Sequence, residues 1–390
     1  MKITTLTIEG IGGIETLELE LNETMNIICG PNGIGKTTIL EIIAHLFSAG
    51  KTDILKRNVN SKIGKITVNI VNNGSQESKT IQLDTFVPEK PTKISGALHQ
   101  YSSGIISLKT ARIFQYQALK SVNKDTGKED HILWNDAING INLSDIKNWF
   151  VNRYLYSAHK EALTKEQLNN YELAKACFSF LDSSFTFSKV DASSNEIMVN
   201  TPSGEIYYEY LSSGFKSIIS ILFGIIKEIE FRFTDPRINA KDFQGIILID
   251  EIELHLHPEW QGKIVGVLLK AFPLAQFVTT THSPHVIQTA EPNQIVALHS
   301  LDNVIQQRSL PSSTFGFKGW SIEEVLTDVM GMPDTRTEFY NDTLAEFNYL
   351  LDNEKYDEAK VLFQKINEFL HPNNHLRKVL EIQLTGLGND

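Results

Sequence analysis

Apolar and polar positions alternate through residues 14–21: Ile14, Leu17, Leu19 and Leu21 stand against Glu18 and Glu20. That period-two pattern predicts an antiparallel strand with one face in water. KITVNIVNN (65–73) and SKTIQLDTF (78–86) flank Asn73-Gly74, which predicts a hairpin. Three other runs do not alternate. Met25 to Cys29, GIILIDE (245–251) and AQFVTTTHSPH (275–285) are short and nearly all apolar before their polar ends, as strands covered on both faces are. The helix-spaced segment TTILEIIAHLF follows the first, and Pro258 opens a helix running through GKIVGVLLKAF after the second. Strands alternating with helices predict an α/β fold around a parallel sheet.

The apolar window IISILFGII (218–226) lies between Lys216 and Lys227 and predicts a helix buried in a core. Residues 87–200 carry weaker patterns, although NLSDIKNWF through ACFSFL predicts two helices, with Ser144 as the N-cap of the first. From about residue 315 the spacing is helical: Ser321 and Glu324 form a capping box, and residues 341–370 predict a helix–turn–helix. The expected organisation is a main domain over 1–310, with a mainly helical insertion at about 87–195, and a helical module over 315–390.

Composition changes this picture little. Of 390 residues 41% are hydrophobic and 21% charged, as in a compact globule. No apolar run reaches the roughly 18–20 residues that span a bilayer. The N-terminal MKITTLTIEG lacks a signal segment, and Cys29 and Cys177 are the only cysteines, so a reducing cytoplasmic setting without membrane contact is expected. The net charge of −11 argues against a surface basic all round. The cluster Lys51, Lys56, Arg57, Lys62 and Lys65 leaves room for a nucleic-acid partner, with a solvated loop as its plainer explanation.

The chemistry concentrates at the ends of the three apolar runs. GPNGIGKTT (30–38) is G-x-x-x-x-G-K-T placed between a strand and a helix. Its glycines turn backbone N–H groups around phosphates, so Gly30, Asn32, Gly33, Gly35, Lys36, Thr37 and Thr38 are the candidate ATP contacts. Lys36 is expected at the β- and γ-phosphates and the Thr37 hydroxyl on Mg²⁺. Asp250 is the candidate Mg²⁺-side carboxylate and Glu251 the candidate general base. His282, at the end of the third run, is placed to reach a γ-phosphate. Zinc held by His255 and His257 with the same acids is the rival reading.

Leu211-Ser212-Ser213-Gly214, before the buried helix, resembles the L-S-G-G-Q signature of ABC-type ATPases, with Phe215 in the place of the glutamine. With GPNGIGKTT, LIDE and TTHS in the same order, the resemblance covers roughly residues 1–300. IELHLHPEW after the acid pair, and about 175 residues between Lys36 and Leu211, set the chain apart from transporter subunits. The string D-E-x-E-L-H-L-H-P is similar to the OLD and RecF-like branch, which includes the ATPase subunits of Septu and related retron anti-phage systems.

The resemblance implies a P-loop ABC-type head, a mixed sheet with an antiparallel β-subdomain. It implies ATP held between two copies, Ser212 and Gly214 of one facing nucleotide on the other, in a homodimer or higher oligomer. It implies His255 and His257 as interface and structural residues, and Gln115 or Gln117 as the glutamine beside Mg²⁺. It also implies a separate effector, such as an HNH-type nuclease, with the acidic helical tail as a candidate docking surface. A RecF-like DNA repair ATPase and an ATP-locked scaffold with little turnover are the alternatives.

Overall fold

The computed structural model describes residues 1–72, 74–112, 116, 118–302, 304–311 and 314–387. The chain divides into two compact units, Met1–Met332 and Pro333–Asp390. The division falls after the expected boundary at 310–315. Phe317, Val325, Val329 and Met330 are buried in the core of the first unit and carry the chain with them.

A six-stranded sheet organises the first unit. It contains β3 (Met25–Cys29), β8 (Ile105–Leu108), β12 (Ile246–Ile249), β13 (Gln276–Thr280), β14 (Ile295–Leu301) and β15 (Val304–Gln307), in the order β15-β14-β3-β13-β12-β8. All neighbours are parallel except β14 and β15. The continuous apolar runs have a simple reason: Ile27 and Cys29 of β3 point into one core and Ile28 into the other. On β12, Ile247 and Ile249 likewise face one core and Ile246 and Leu248 the other.

On one face lie α1 (Lys36–Leu46) and the antiparallel sheet β2-β1-β5-β6, made of β1 (Lys2–Ile11), β2 (Ile14–Glu20), β5 (Gly64–Asn72) and β6 (Ser75–Leu83). β5 and β6 pair in register from Gly64↔Leu83 to Asn72↔Ser75, the hairpin expected there. β4 (Ala49–Thr52) pairs with β7 (Thr92–Ser95).

The other face is covered by α5 (Ser213–Arg232), α7 (Ile264–Ala271) and the part of the insertion beyond residue 140, whereas Ala137 of the insertion is buried in the core on the α1 side. The insertion holds α2 (Asp130–Asn139), α3 (Ile146–Ser157), α4 (Lys165–Leu181) and the small sheet β9 (Thr186–Val190), β10 (Ile197–Thr201), β11 (Gly204–Tyr207). Phe150 of α3 stacks on Phe223 of α5 with ring centres 4.9 Å apart. Two buried charge sets tie the insertion to the far half of α5. Glu228 binds Lys128 at 2.6 Å and Arg232 at 3.1 Å, and Glu230 binds Arg153 at 2.5 Å. Arg232 also reaches the carbonyls of Ser102 and Ile105 at the start of β8.

Local details differ from the sequence pattern in three places. Asp145, not Ser144, occupies the N-cap of α3, and its carboxylate pairs with Lys227. The helix expected from Pro258 breaks at Gly262 into α6 (Pro258–Gln261) and α7. The stretch read as a mainly helical insertion also contributes β8 to the central sheet.

α8 (Pro284–Thr289) follows β13, and a capping box of Ser321 and Glu324 starts α9 (Ile322–Glu324). The second unit is three helices, α10 (Glu338–Asp352), α11 (Tyr356–Phe369) and α12 (Leu376–Leu387), closed around Phe347, Ala359, Ile366 and Leu380. Among the described residues no helix is long and apolar enough to cross a membrane.

Candidate functional site

The carboxyl ends of β3, β13, β12 and β8 deliver the chemistry-bearing residues to one sheet edge, where open α/β sheets bind ligands. β3 runs into the glycine loop. Gly30 has φ +142°, and a Cβ there would meet the Leu298 carbonyl oxygen of β14 at 2.5 Å, so this position admits only glycine. Gly35, with φ +97°, caps α1 and turns the helix N-terminus toward the loop. Asn32 and Gly33 are exposed on the loop, and on the first turn of α1 Thr37 is exposed and Thr38 half-buried.

Lys36 is buried, and its ammonium donates to the carbonyls of Gly30 at 2.9 Å and Pro31 at 3.0 Å. Burial lowers its pKa, with Cys29, Glu253, Asp250 and Glu251 pulling the other way. The Thr37 hydroxyl lies 3.3 Å from Asp250 Oδ1. The two residues assigned to Mg²⁺ therefore adjoin, and a hydroxyl beside a carboxylate is an oxygen donor set suited to that hard cation.

Thr280, at the end of β13, links both acids. Its hydroxyl donates to Asp250 Oδ1 at 2.6 Å and accepts the Glu251 N–H at 2.8 Å. Glu251 has a left-handed backbone, φ +49°, which is costly for a non-glycine residue. Its N–H is held by Thr280, and its carbonyl accepts from Arg112 Nη2 at 2.5 Å. Arg112 follows β8, is buried, and also donates to the Asp250 carbonyl at 3.1 Å. Burial lowers its pKa to about 10, against the pull of Glu253, Asp250 and Glu251. Among the described residues its Nε and Nη1 find no hydrogen-bond partner.

Glu253 accepts from the Thr281 hydroxyl at 2.7 Å and from the His282 N–H at 2.6 Å, while the His282 side chain is exposed. His255 is exposed, and His257 caps α6 by accepting the Glu259 N–H. Among the described residues no three His, Cys, Asp or Glu side chains gather as a metal-ligand set.

Ser212 and Gly214 lie elsewhere, at the start of α5. Ser212 is its N-cap and accepts the Phe215 N–H at 3.3 Å. Gly214 packs on the loop beyond Glu251, where an added Cβ would sit 3.0 Å from the His255 carbonyl and 3.3 Å from Trp260. Gln115 and Gln117 lie outside the described residues. A separate cavity of about 340 Å³ opens beside Arg112, between Lys109, Lys147, Glu209 and Lys216.

Sequence reasoning missed Arg112 and Thr280. Thr280 opens the TTHS motif but carried no role of its own, and nothing local marks Arg112; only the adjacency of β8, β12 and β13 gives them their partners. Glu253 stood in the acid-rich stretch, but its two donors lie 28 and 29 residues further along the chain.

A family model described as "AAA domain" matches residues 5–210, and a second AAA domain model matches residues 150–288. The chain is 42% identical to the Septu protein PtuA of Bacillus thuringiensis over 389 residues, 99% of this chain and 98% of that one. It is 28% identical to the Retron Ec83 probable ATPase of Escherichia coli over 256 residues, 62% of this chain and 46% of that one. Among solved structures, the SMC head bound to the C-terminal winged-helix domain of ScpA matches with a TM-score of 0.50 at 14% identity. That match covers 80% of this chain and 98% of the other, and it speaks for the fold alone. With a glycine loop, adjoining acids and a signature-like helix on this sheet, and near full-length similarity to a Septu protein, the chain belongs to the Septu PtuA family of AAA-domain, ABC-type ATPases of anti-phage systems.

Proposed function

We propose that this chain binds ATP with Mg²⁺, closes with a second copy around the nucleotide and hydrolyses it. In this reading it is the regulatory ATPase of a cytoplasmic anti-phage complex, and a separate protein such as an HNH-type nuclease is the effector. The observation that carries the reading is the convergence of Lys36, Thr37, Asp250 and Glu251 at the end of a glycine loop.

The residues divide the work as follows. Backbone N–H groups of the loop and the start of α1 bind phosphate oxygens, and the helix dipole favours their charge. Lys36 exchanges its carbonyl partners for β- and γ-phosphate oxygens. Thr37 and Asp250 would hold Mg²⁺, which neutralises charge on those phosphates when bound. Glu251 takes a proton from the attacking water, with Thr280 and Arg112 fixing its backbone. His282 offers its imidazole from the neighbouring strand end. Ser212 and the N-terminus of α5 supply donors to nucleotide held by the second copy.

The test is turnover and binding of a fluorescent ATP analogue by the full chain with Mg²⁺, against Lys36→Ala. The variant is expected to lose both. A variant that binds and turns over ATP like the parent defeats the reading.

A further inference from the structure

The loop between Glu251 and α6 contains an acid, Glu253, to which the proposed nucleotide chemistry assigns no role. Both oxygens of Glu253 are turned toward the end of β13: Oε2 accepts from the Thr281 hydroxyl at 2.7 Å and Oε1 from the His282 N–H at 2.6 Å. Thr281 is fully buried, and its hydroxyl also accepts the Ser283 N–H at 3.0 Å. Ser283 in turn donates to Gln261 at 2.6 Å. One carboxylate thus begins a chain of hydrogen bonds from the loop, through the turn bearing His282, to α6. Bonds to an ionised acceptor are about twice as strong as neutral ones.

None of these bonds uses the imidazole. The His282 side chain is exposed while its main-chain N–H is held. An exposed ring on an anchored backbone is the arrangement a ligand-facing residue needs, because its direction is set before the ligand arrives. The same short loop carries Glu251 at one end and presents the His255 carbonyl to Gly214 at the other.

We infer that Glu253 is a positioning residue for nucleotide chemistry: it fixes the backbone of His282 and ties that histidine to the loop carrying Glu251. The inference rests on the nucleotide-site reading above. It makes Glu253 act through His282, so removing the two must not multiply.

The experiment is a double-variant cycle of Glu253→Ala, His282→Ala and both together, with Glu253→Gln as the conservative change. The readouts are ATP turnover, affinity for a fluorescent ATP analogue, and amide hydrogen exchange across residues 279–285. Either Ala variant is expected to lower kcat by about 10- to 100-fold with little change in KM. The double variant is expected within about twofold of the worse single one, a coupling that independent roles do not produce. Glu253→Gln keeps one acceptor and is expected between parent and Glu253→Ala. Exchange at 279–285 is expected to quicken in both Glu253 variants. Multiplying losses, parent-like turnover in Glu253→Ala, or unchanged exchange overturns the inference. If Glu253→Ala does not fold, Glu253→Gln alone and with His282→Ala makes the same cycle. A parent chain without turnover defeats the hydrolysis reading instead. The inference is then read on amide exchange across residues 279–285, where quickening in both Glu253 variants supports positioning and unchanged exchange overturns it.

Discussion

Thr280→Val tests whether one hydroxyl orders both acids of the site. Valine keeps the branched shape, so this buried position neither opens a cavity nor crowds. What disappears is a 2.6 Å bond to the Asp250 carboxylate and a 2.8 Å bond from the Glu251 N–H. A hydrogen bond to a charged group contributes about 1.5–3 kcal/mol. A half-buried N–H left without an acceptor costs about 1 kcal/mol more. The sum is about 2.5–4 kcal/mol, and spread over the unit Met1–Met332 it lowers Tm by about 4–6 °C. Thr280→Ser keeps the hydroxyl and removes one methyl, for about 1 kcal/mol. Thermal melts of parent, Val and Ser chains separate the two effects, and turnover should follow the same order because Glu251 loses the anchor of its left-handed backbone. Equal melting and equal turnover in the Val and Ser variants would refute the reasoning.

Three further outcomes are expected. Glu251→Gln should bind MgATP and slow hydrolysis by about 10²–10⁴-fold, with an ATP-bound dimer accumulating in light scattering; parent-like turnover removes Glu251 as the base. Ser212→Arg should bind ATP as a single copy yet fail to associate with ATP, and association equal to the parent's excludes a signature-mediated pairing. Burial alone would raise the Glu228 carboxyl, but Arg232, Lys227 and Lys128 hold it at about 2, below its ordinary 4.5. Glu228→Gln should therefore cost about 3 kcal/mol at pH 7. The parent's advantage is present above about pH 4.5 and fades as the pH falls toward 2. Denaturation curves at pH 7 and pH 3 check it, and a gap that widens at pH 3 contradicts the sign.

The parts legible in the sequence are those written locally. A glycine loop between strand and helix declares itself, because backbone turning, phosphate binding and helix start all need residues within one short stretch. The apolar runs ending in Asp250 and Thr280 are legible for the same reason: burial on both faces leaves no room for alternation. β8, Ile105–Leu108, is as short as β12 but ends in no acid pair to mark it, so only its pairing with β12 shows it as a strand of the central sheet. The break falls at Gly262, a poor helix former, where the backbone also lies close to Thr289. Asp145 stands at the N-cap of α3 without a side-chain capping bond, and its carboxylate goes to Lys227 of a distant helix, which no local pattern shows. Thr280, Arg112 and Glu253 gain roles only once three strand ends adjoin.

α5 has 20 residues and is buried along most of its length, so it is a rod about 30 Å long. Its Ser212 end is capped by one hydroxyl and rests on a loop, while its Arg232 end is riveted by Glu228, Lys128 and the carbonyls leading into β8. The serine end is seated by packing instead, with Phe215 against Phe185 and Trp260 at ring-centre distances of 4.8 and 5.5 Å. A tilt of about 5° about the charged end moves the serine end by about 2.6 Å, close to the length of one hydrogen bond. A displacement of the serine end that kept the helix straight would therefore load the ion pairs that join it to the insertion.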